Sequence, residues 1–220
     1  MFVGHYAAAF ALKGKEKRAS LGMLFIATQF VDILFFPFAV IGIEQLNFVP
    51  EFTAVNNFDL AFMPYTHGLL ASCLWAAFFY FIYYKYISKN EADRKSVAIV
   101  MALGVLSHWF ADLIAHTPDL PIIYGEPKLG FGLWRNKDLT FITEAILLVF
   151  SVWYYQRKTK TKKKYGNYAA IGLAFILILA NYLNFYVLPQ DSDLIKLTIS
   201  AIASYFIFAG LAWWVDGQRG

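Results

Sequence analysis

Six stretches of this chain run for 18–24 residues with almost no charge. Residues 65–84, 167–188 and 197–215 carry none, and 21–44, 96–117 and 139–156 each carry one internal charge, Asp32, Asp112 and Glu144 in turn. A helix needs roughly 20 apolar residues to cross a bilayer. The blocks therefore predict an all-α, polytopic membrane protein with six transmembrane helices, in one integral membrane domain over residues 1–220. Composition agrees: 15% of residues are charged, against about a quarter in an ordinary soluble domain. Disorder is excluded, and a soluble globular enzyme is disfavoured. One cysteine, Cys73, leaves no intramolecular disulfide framework and no thiolate metal cluster.

The charges punctuate the blocks. With both termini cytoplasmic, 15 of the 19 Lys and Arg residues fall in cytoplasmic segments, Lys89 among them. The outer loops keep Lys128, Arg135, Lys137 and Lys196. This split follows the positive-inside rule and predicts a cell-membrane protein in that orientation. The run Arg157–Lys164 reads as a solvated loop facing anionic lipid, and no nucleic-acid partner is expected because no aromatics interleave with it.

Residues 1–12 are apolar but too short to span, and no signal-peptide pattern surrounds them. A half-helix rising from Lys13 would carry His5 about 12 Å into the bilayer. Entry of this half-helix into the bundle is favoured over a helix lying flat on the membrane. The outer loops, 45–64 and 118–138, are rich in Pro, Gly and Asn and read as turns. No repeat and no appended soluble domain is visible.

Ionisable groups inside a span are costly and mark function by default. His108 and Asp112 are four apart on one helix, and His116 lies about 80° round from His108 at a helical repeat. Pro118 then stops the helix and leaves Asp119 at its mouth. All four histidines, His5, His67, His108 and His116, fall within or at the edge of a predicted membrane helix. With Asp32, Asp112 and Glu144 they can converge on one cavity. Imidazole nitrogen and carboxylate oxygen both ligate zinc, so the set predicts one to three divalent ions, with zinc the best match. A structural polar network is the alternative. The metal ligands expected are His5, Asp32, His67, His108, Asp112 and His116, with Asp112 or Glu144 as proton acceptor. Lys128, Arg135 and Lys137 are candidate phosphate contacts on the outer loop. Asn181 and Asn184 read as hydrogen-bond glue between helices.

The segments GHYAAAFALK, MPYTHGLL, SHWFADLIAHTPDLP and LGFGLW together resemble the predicted membrane-bound metal-dependent hydrolases, small polytopic proteins of which some are annotated only as permeases. The likeness runs from Gly4 to about Glu144, and it implies a polar set on His5, Asp32, His67, His108 and Asp112. The order His5, Asp32, His67, His108, Asp112, His116, Glu144 is also distantly similar to that of zinc phospholipase C and the single-strand-specific nucleases, which implies phosphoester hydrolysis. The expectation is metal-assisted hydrolysis of a lipid or lipid-linked phosphoester at the outer half of the bilayer. The alternative is a proton- or ion-coupled transporter using the same residues. No HExxH, GxSxG or Walker loop is present.

Overall fold

A computed structural model describes residues 1–88, 91–190 and 192–219. Lys89, counted above in an inner loop, lies outside them. The fold is all-helical apart from two small hairpins. The helices are α1 (Gly4–Lys15), α2 (Leu21–Thr28), α3 (Phe30–Val40), α4 (Leu69–Ile82), α5 (Glu91–Ala115), α6 (Lys137–Lys158), α7 (Gly166–Tyr182) and α8 (Leu194–Gln218). Single π-helical turns at Tyr83–Ile87 and Leu183–Val187 extend α4 and α7. Five of these helical segments are long and apolar enough to cross a membrane, six if α2 and α3 count as one broken span.

The outside is apolar, and the polar residues of the spans are gathered inside, among two apolar core clusters. Leu74, Phe150, Phe175 and Ile199 are exposed, while the histidines, Asp112, Thr140 and Glu144 are buried. An outer surface so rich in large apolar side chains needs a covering, and a bilayer is one that fits.

Three helical features position the site. The first is α1, which sits inside the bundle against α2, α5 and α6, with Tyr6, Ala9 and Phe10 fully buried. The second corrects the expectation of one continuous helix over 21–44: the helix breaks at Gln29 and α3 turns 45° away from α2. Thr28 bonds its hydroxyl back to the Phe25 carbonyl, and Gln29 leaves helical geometry at φ −109°. The break frees the Thr28 carbonyl and starts a new helix whose first turn holds Asp32. The third is the C-terminal end of α5. Its last turns are capped by the glycine-rich segment after β4, with Phe131 N–H donating to Leu113 O (2.8 Å) and Gly132 N–H to His116 O. A Cβ on Gly130 would lie 2.1 Å from Thr117 O, so only glycine allows this approach.

The expected turn-rich loops fold into antiparallel hairpins, β1 (Gln45–Phe48) with β2 (Phe58–Phe62) and β3 (Leu120–Pro121) with β4 (Lys128–Leu129). They join each other and α4: Ala54 N–H donates to Trp134 O (3.0 Å), Lys128 Nζ to Ala61 O (3.0 Å) and Leu70 N–H to Ile122 O (2.9 Å). Together they cap one end of the bundle.

Candidate metal centre

Beneath this cap, side chains from four elements meet. α1 brings His5, α3 brings Asp32, the turn before α4 brings His67, and α5 with its C-terminal end brings His108, Asp112 and His116. His67 was expected to begin a helix. It stands instead in the turn ahead of α4, its N–H on Met63 O (3.0 Å).

Asp112 is the hub. Its Oδ1 lies 3.2 Å from His5 Nε2 and 3.4 Å from His116 Nε2, and its Oδ2 2.9 Å from His108 Nε2 and 3.7 Å from His67 Nε2. The Met1 amino group also contacts Oδ1. Asp32 Oδ1 lies 3.1 Å from His67 Nε2 and 3.6 Å from His108 Nε2, while Asp32 Oδ2 accepts from the Tyr205 hydroxyl (3.1 Å). The rings of His5 and His108 stack at 3.7 Å. Two groups, His5–Asp32–His108 and His67–His108–Asp112, each bring three ligand atoms within 4.8 Å of one another.

The other ring nitrogens explain why this arrangement suits a cation. His108 Nδ1 meets the Thr28 carbonyl at 2.7 Å, an oxygen that can only accept. His116 Nδ1 meets the Asp119 carboxylate at 2.9 Å, and Thr117 Oγ1 donates to the same carboxylate. His67 Nδ1 meets Thr66 Oγ1 at 2.8 Å. An imidazole whose Nδ1 donates turns a bare Nε2 lone pair the other way when neutral. With Nδ1 as donor, three neutral rings would point lone pairs at carboxylate oxygens, His67 Nε2 doing so in hydrogen-bond geometry to Asp32 Oδ1 (3.1 Å). Such pairs are stable only around a shared cation, whether protons or a metal ion. His5 Nε2 and His108 Nε2 are buried without hydrogen-bond geometry to any partner, close as they stand to Asp112. Atoms aimed at a common point, rather than at one another, are what metal ligands look like. Holding each imidazole by its second nitrogen is how metal sites fix ring orientation.

A cavity of about 390 Å³ opens from this cluster. Asp32, His67, Asp112, His116 and Tyr205 form its polar wall, and Phe35, Phe36, Leu183, Phe185, Leu197 and Phe208 its apolar one. It reaches the exposed residues Asn184 and Ser200, between the C-terminal end of α7 and the N-terminal end of α8.

Several expected residues stand elsewhere. Glu144 is fully buried, with Oε1 accepting from Phe2 N–H (3.2 Å) and Oε2 from Gly4 N–H (3.0 Å) and Asn181 Nδ2 (3.4 Å). Through the Phe2 and Gly4 N–H groups the carboxylate anchors the N-terminal end of α1. Asn181 joins helices as expected. Asn184 is exposed and lines the cavity instead. None of the three basic candidates lines it. Lys128 is tied to Ala61 O, Arg135 is exposed, and Lys137 lies over the Tyr186 ring.

Three contributors escaped the sequence reading. Tyr205 was hidden in an apolar span. Thr66 neighbours His67. Glu44 is 1% exposed and accepts from Tyr65 N–H, Thr66 N–H and the Thr66 hydroxyl. Burial pushes the Glu44 carboxyl up, against the pull of its donors. No family model, no curated protein and no solved structure matches this chain.

Proposed function

We propose that this chain is a membrane-embedded, metal-dependent hydrolase acting on a lipid or lipid-linked phosphoester. One observation carries the reading: Nε2 atoms from three histidines, each held by its Nδ1, face two carboxylates in a buried cluster. His5, Asp32, His67, His108, Asp112 and His116 would hold one or more divalent ions, and the imidazole-rich set suits zinc. When bound, such an ion supplies Lewis acidity and a more acidic water.

The chain's own groups divide the remaining work. Asp112, shared by four histidines, is a ligand. Asp32 is the more open carboxylate, 17% exposed against 2% for Asp112, and it faces the cavity. With Oδ1 on the histidine side as ligand, its Oδ2 would be the proton acceptor, the Tyr205 hydroxyl holding its orientation. The apolar cavity wall favours an amphiphile whose polar group reaches the cluster while its chain lies between α7 and α8. The resemblance to the predicted membrane-bound metal-dependent hydrolases supports the same chemistry. The distribution of Lys and Arg supports six spans with the hairpin cap on the extracytoplasmic side.

Elemental analysis of protein purified in mild detergent without chelator tests the centre. The expected result is about one to three equivalents of a divalent metal, lowered in His108→Ala and Asp112→Ala. A folded, metal-free wild type would sink the hydrolase and leave a proton relay or transporter. Sidedness is tested by impermeant thiol labelling after Cys73 is removed. A cysteine at Gly125, where a Cβ meets open space, should label from outside, and one at the exposed Lys163 only after lysis.

A further inference from the structure

We infer that Glu44 and Thr66 form a positioning relay that fixes the tautomer of His67 and aims its Nε2 at the metal centre. The inference rests on the metal-centre reading above and names residues that act through His67.

The proton count gives the direction. Glu44 Oε1 accepts the N–H groups of Tyr65 (2.8 Å) and Thr66 (3.0 Å), and Oε2 accepts the Thr66 hydroxyl (2.7 Å). A hydroxyl has one proton, and here it goes to the carboxylate. The Thr66 oxygen is then an acceptor for His67 Nδ1 at 2.8 Å, so the ring proton sits on Nδ1. A neutral imidazole has only that one N–H. In the neutral ring His67 Nε2 therefore presents a lone pair toward Asp32 Oδ1, 3.1 Å away in hydrogen-bond geometry, and Asp112 Oδ2 at 3.7 Å, and a shared cation would sit between them.

The residue types fit this task better than a loop anchor. Among the described residues no Lys or Arg forms a salt bridge with Glu44, though it is 1% exposed. Burying a carboxylate without a cation is costly, and two backbone N–H groups could be met by a neutral amide oxygen. Only a group with acceptors on both arms can take those N–H groups and the hydroxyl proton together. The outcome at His67 also matches what Thr28 O imposes on His108 and Asp119 on His116, from different parts of the fold. One tautomer enforced three times by unrelated partners is a property of the centre, not of one turn.

Zinc affinity by chelator competition, on the full chain in detergent, tests the relay with Glu44→Gln, Thr66→Val and Thr66→Ser. Glu44→Gln keeps the Oε1 acceptor but points an NH₂ at Thr66. The hydroxyl must then donate to His67 Nδ1, which moves the ring proton to Nε2 and blocks the ligand. Loss of such an outer partner typically costs ~10–100-fold in metal affinity, and that loss is expected for Glu44→Gln and Thr66→Val, with Thr66→Ser within about 2-fold of wild type. Wild-type affinity in Glu44→Gln and Thr66→Val, beside a zinc-binding wild type, would overturn the relay and leave the metal centre standing. ¹⁵N NMR of the neutral His67 ring in metal-free protein, assigned with His67→Asn, gives a second readout independent of zinc. A ring proton on Nδ1 in wild type that shifts to Nε2 in Glu44→Gln supports the relay even if zinc never binds. An unchanged tautomer overturns it.

Discussion

Arg219 and Asp112 are both almost wholly buried, 2% and 1% exposed, at opposite ends of the bundle. Around Arg219 donors meet acceptors. Its Nε reaches Thr159 Oγ1 (3.0 Å), Nη1 reaches Thr161 Oγ1 (3.3 Å) and Asn167 Oδ1, and Nη2 reaches the carbonyls of Gln156 and Thr159 (both 3.0 Å). Nearby, Lys13 Nζ takes Lys17 O, Ala19 O and Asp216 Oδ1, and Arg18 pulls the Glu16 carboxyl down to about 2. Around Asp112 the Met1 amino group is a donor, but the imidazoles of His108 and His116 are held so that Nε2 faces the same carboxylate. At the first end every Arg219 nitrogen has an acceptor, and the residue works as a clamp on the helix termini. At the second, the Met1 amino group is one cation on Asp112, and the imidazole–carboxylate contacts leave room for another. Burial alone does not separate structural charge from functional charge; the sign of what faces it does.

The largest expected effect follows from that asymmetry. An ion that binds only the folded chain stabilises it by about 4 kcal/mol when present at 1,000 times its dissociation constant. Stripping the metal from wild type should therefore lower the melting temperature in detergent substantially, and stripping Asp112→Ala should change it little. The same chelation should cost Arg219→Met as much as wild type, because the two ends share no partner and their effects add. A chelator effect confined to wild type, or one abolished by Arg219→Met, would erase the distinction between the ends.

Arg219→Met comes next. It leaves the Gln156 and Thr159 carbonyls and the Thr159 hydroxyl without their charged donor. Hydrogen bonds to a charged group contribute about 1.5–3 kcal/mol each, and unpaired buried acceptors add to the cost. Contributions around one guanidinium are not additive, so a loss of about 3–5 kcal/mol is expected in denaturant or thermal unfolding, with metal content per folded chain unchanged. A stability loss below about 1 kcal/mol would mean that the clamp reading overrates these contacts.

Most of the buried His–Asp cluster was legible in the sequence, for a physical reason. Asp and His stand out against apolar spans because hydrocarbon tolerates them only with a purpose, and so His5, Asp32, His67, His108, Asp112 and His116 could all be named. What stayed hidden were groups that look ordinary in a string. The helix break falls at Thr28-Gln29, which carries no Gly or Pro, although Pro37 stands inside the helix that follows. Glu44 sits where a span ends, and there a carboxylate reads as the first solvated residue. Its burial arises from the fold of Tyr65 and Thr66 over it, a contact 21 residues away in the chain. The hairpins were masked by turn formers that also suit irregular loops. Glu144 was visible but its role was not, because the α1 N–H groups that occupy it lie 140 residues earlier.

Glu144 gives a smaller effect that separates anchor from acid–base group. Glu144→Ala orphans the N–H groups of Phe2 and Gly4 at the start of α1. Losing a helix N-terminal acceptor typically costs about 1–2 kcal/mol. The expected result is a stability loss of that size with metal still bound. Abolished turnover in a protein of unaltered stability and metal content would return Glu144 to the chemistry.

The smallest effects are expected at the three basic residues of the cap, where sequence and structure diverge most. Lys128, Arg135 and Lys137 looked suited to a phosphate because they are cations on the outer loop. None of them lines the cavity. Arg135→Ala and Lys137→Ala remove one exposed guanidinium and one ammonium lying over Tyr186. Such surface changes usually stay within about 0.5 kcal/mol, so turnover and unfolding should match wild type closely. Lys128→Met differs, because its ammonium bonds Ala61 O and joins the two hairpins. It should cost about 1 kcal/mol in stability, the usual net value of one hydrogen bond, and leave zinc affinity alone. A large rise in KM for a phosphoester substrate in Arg135→Ala or Lys137→Ala, with stability held, would show that the cap rearranges to bring these cations to the substrate. The contrast between an end whose cation is met by acceptors and an end with room for another cation would then extend to its hairpins.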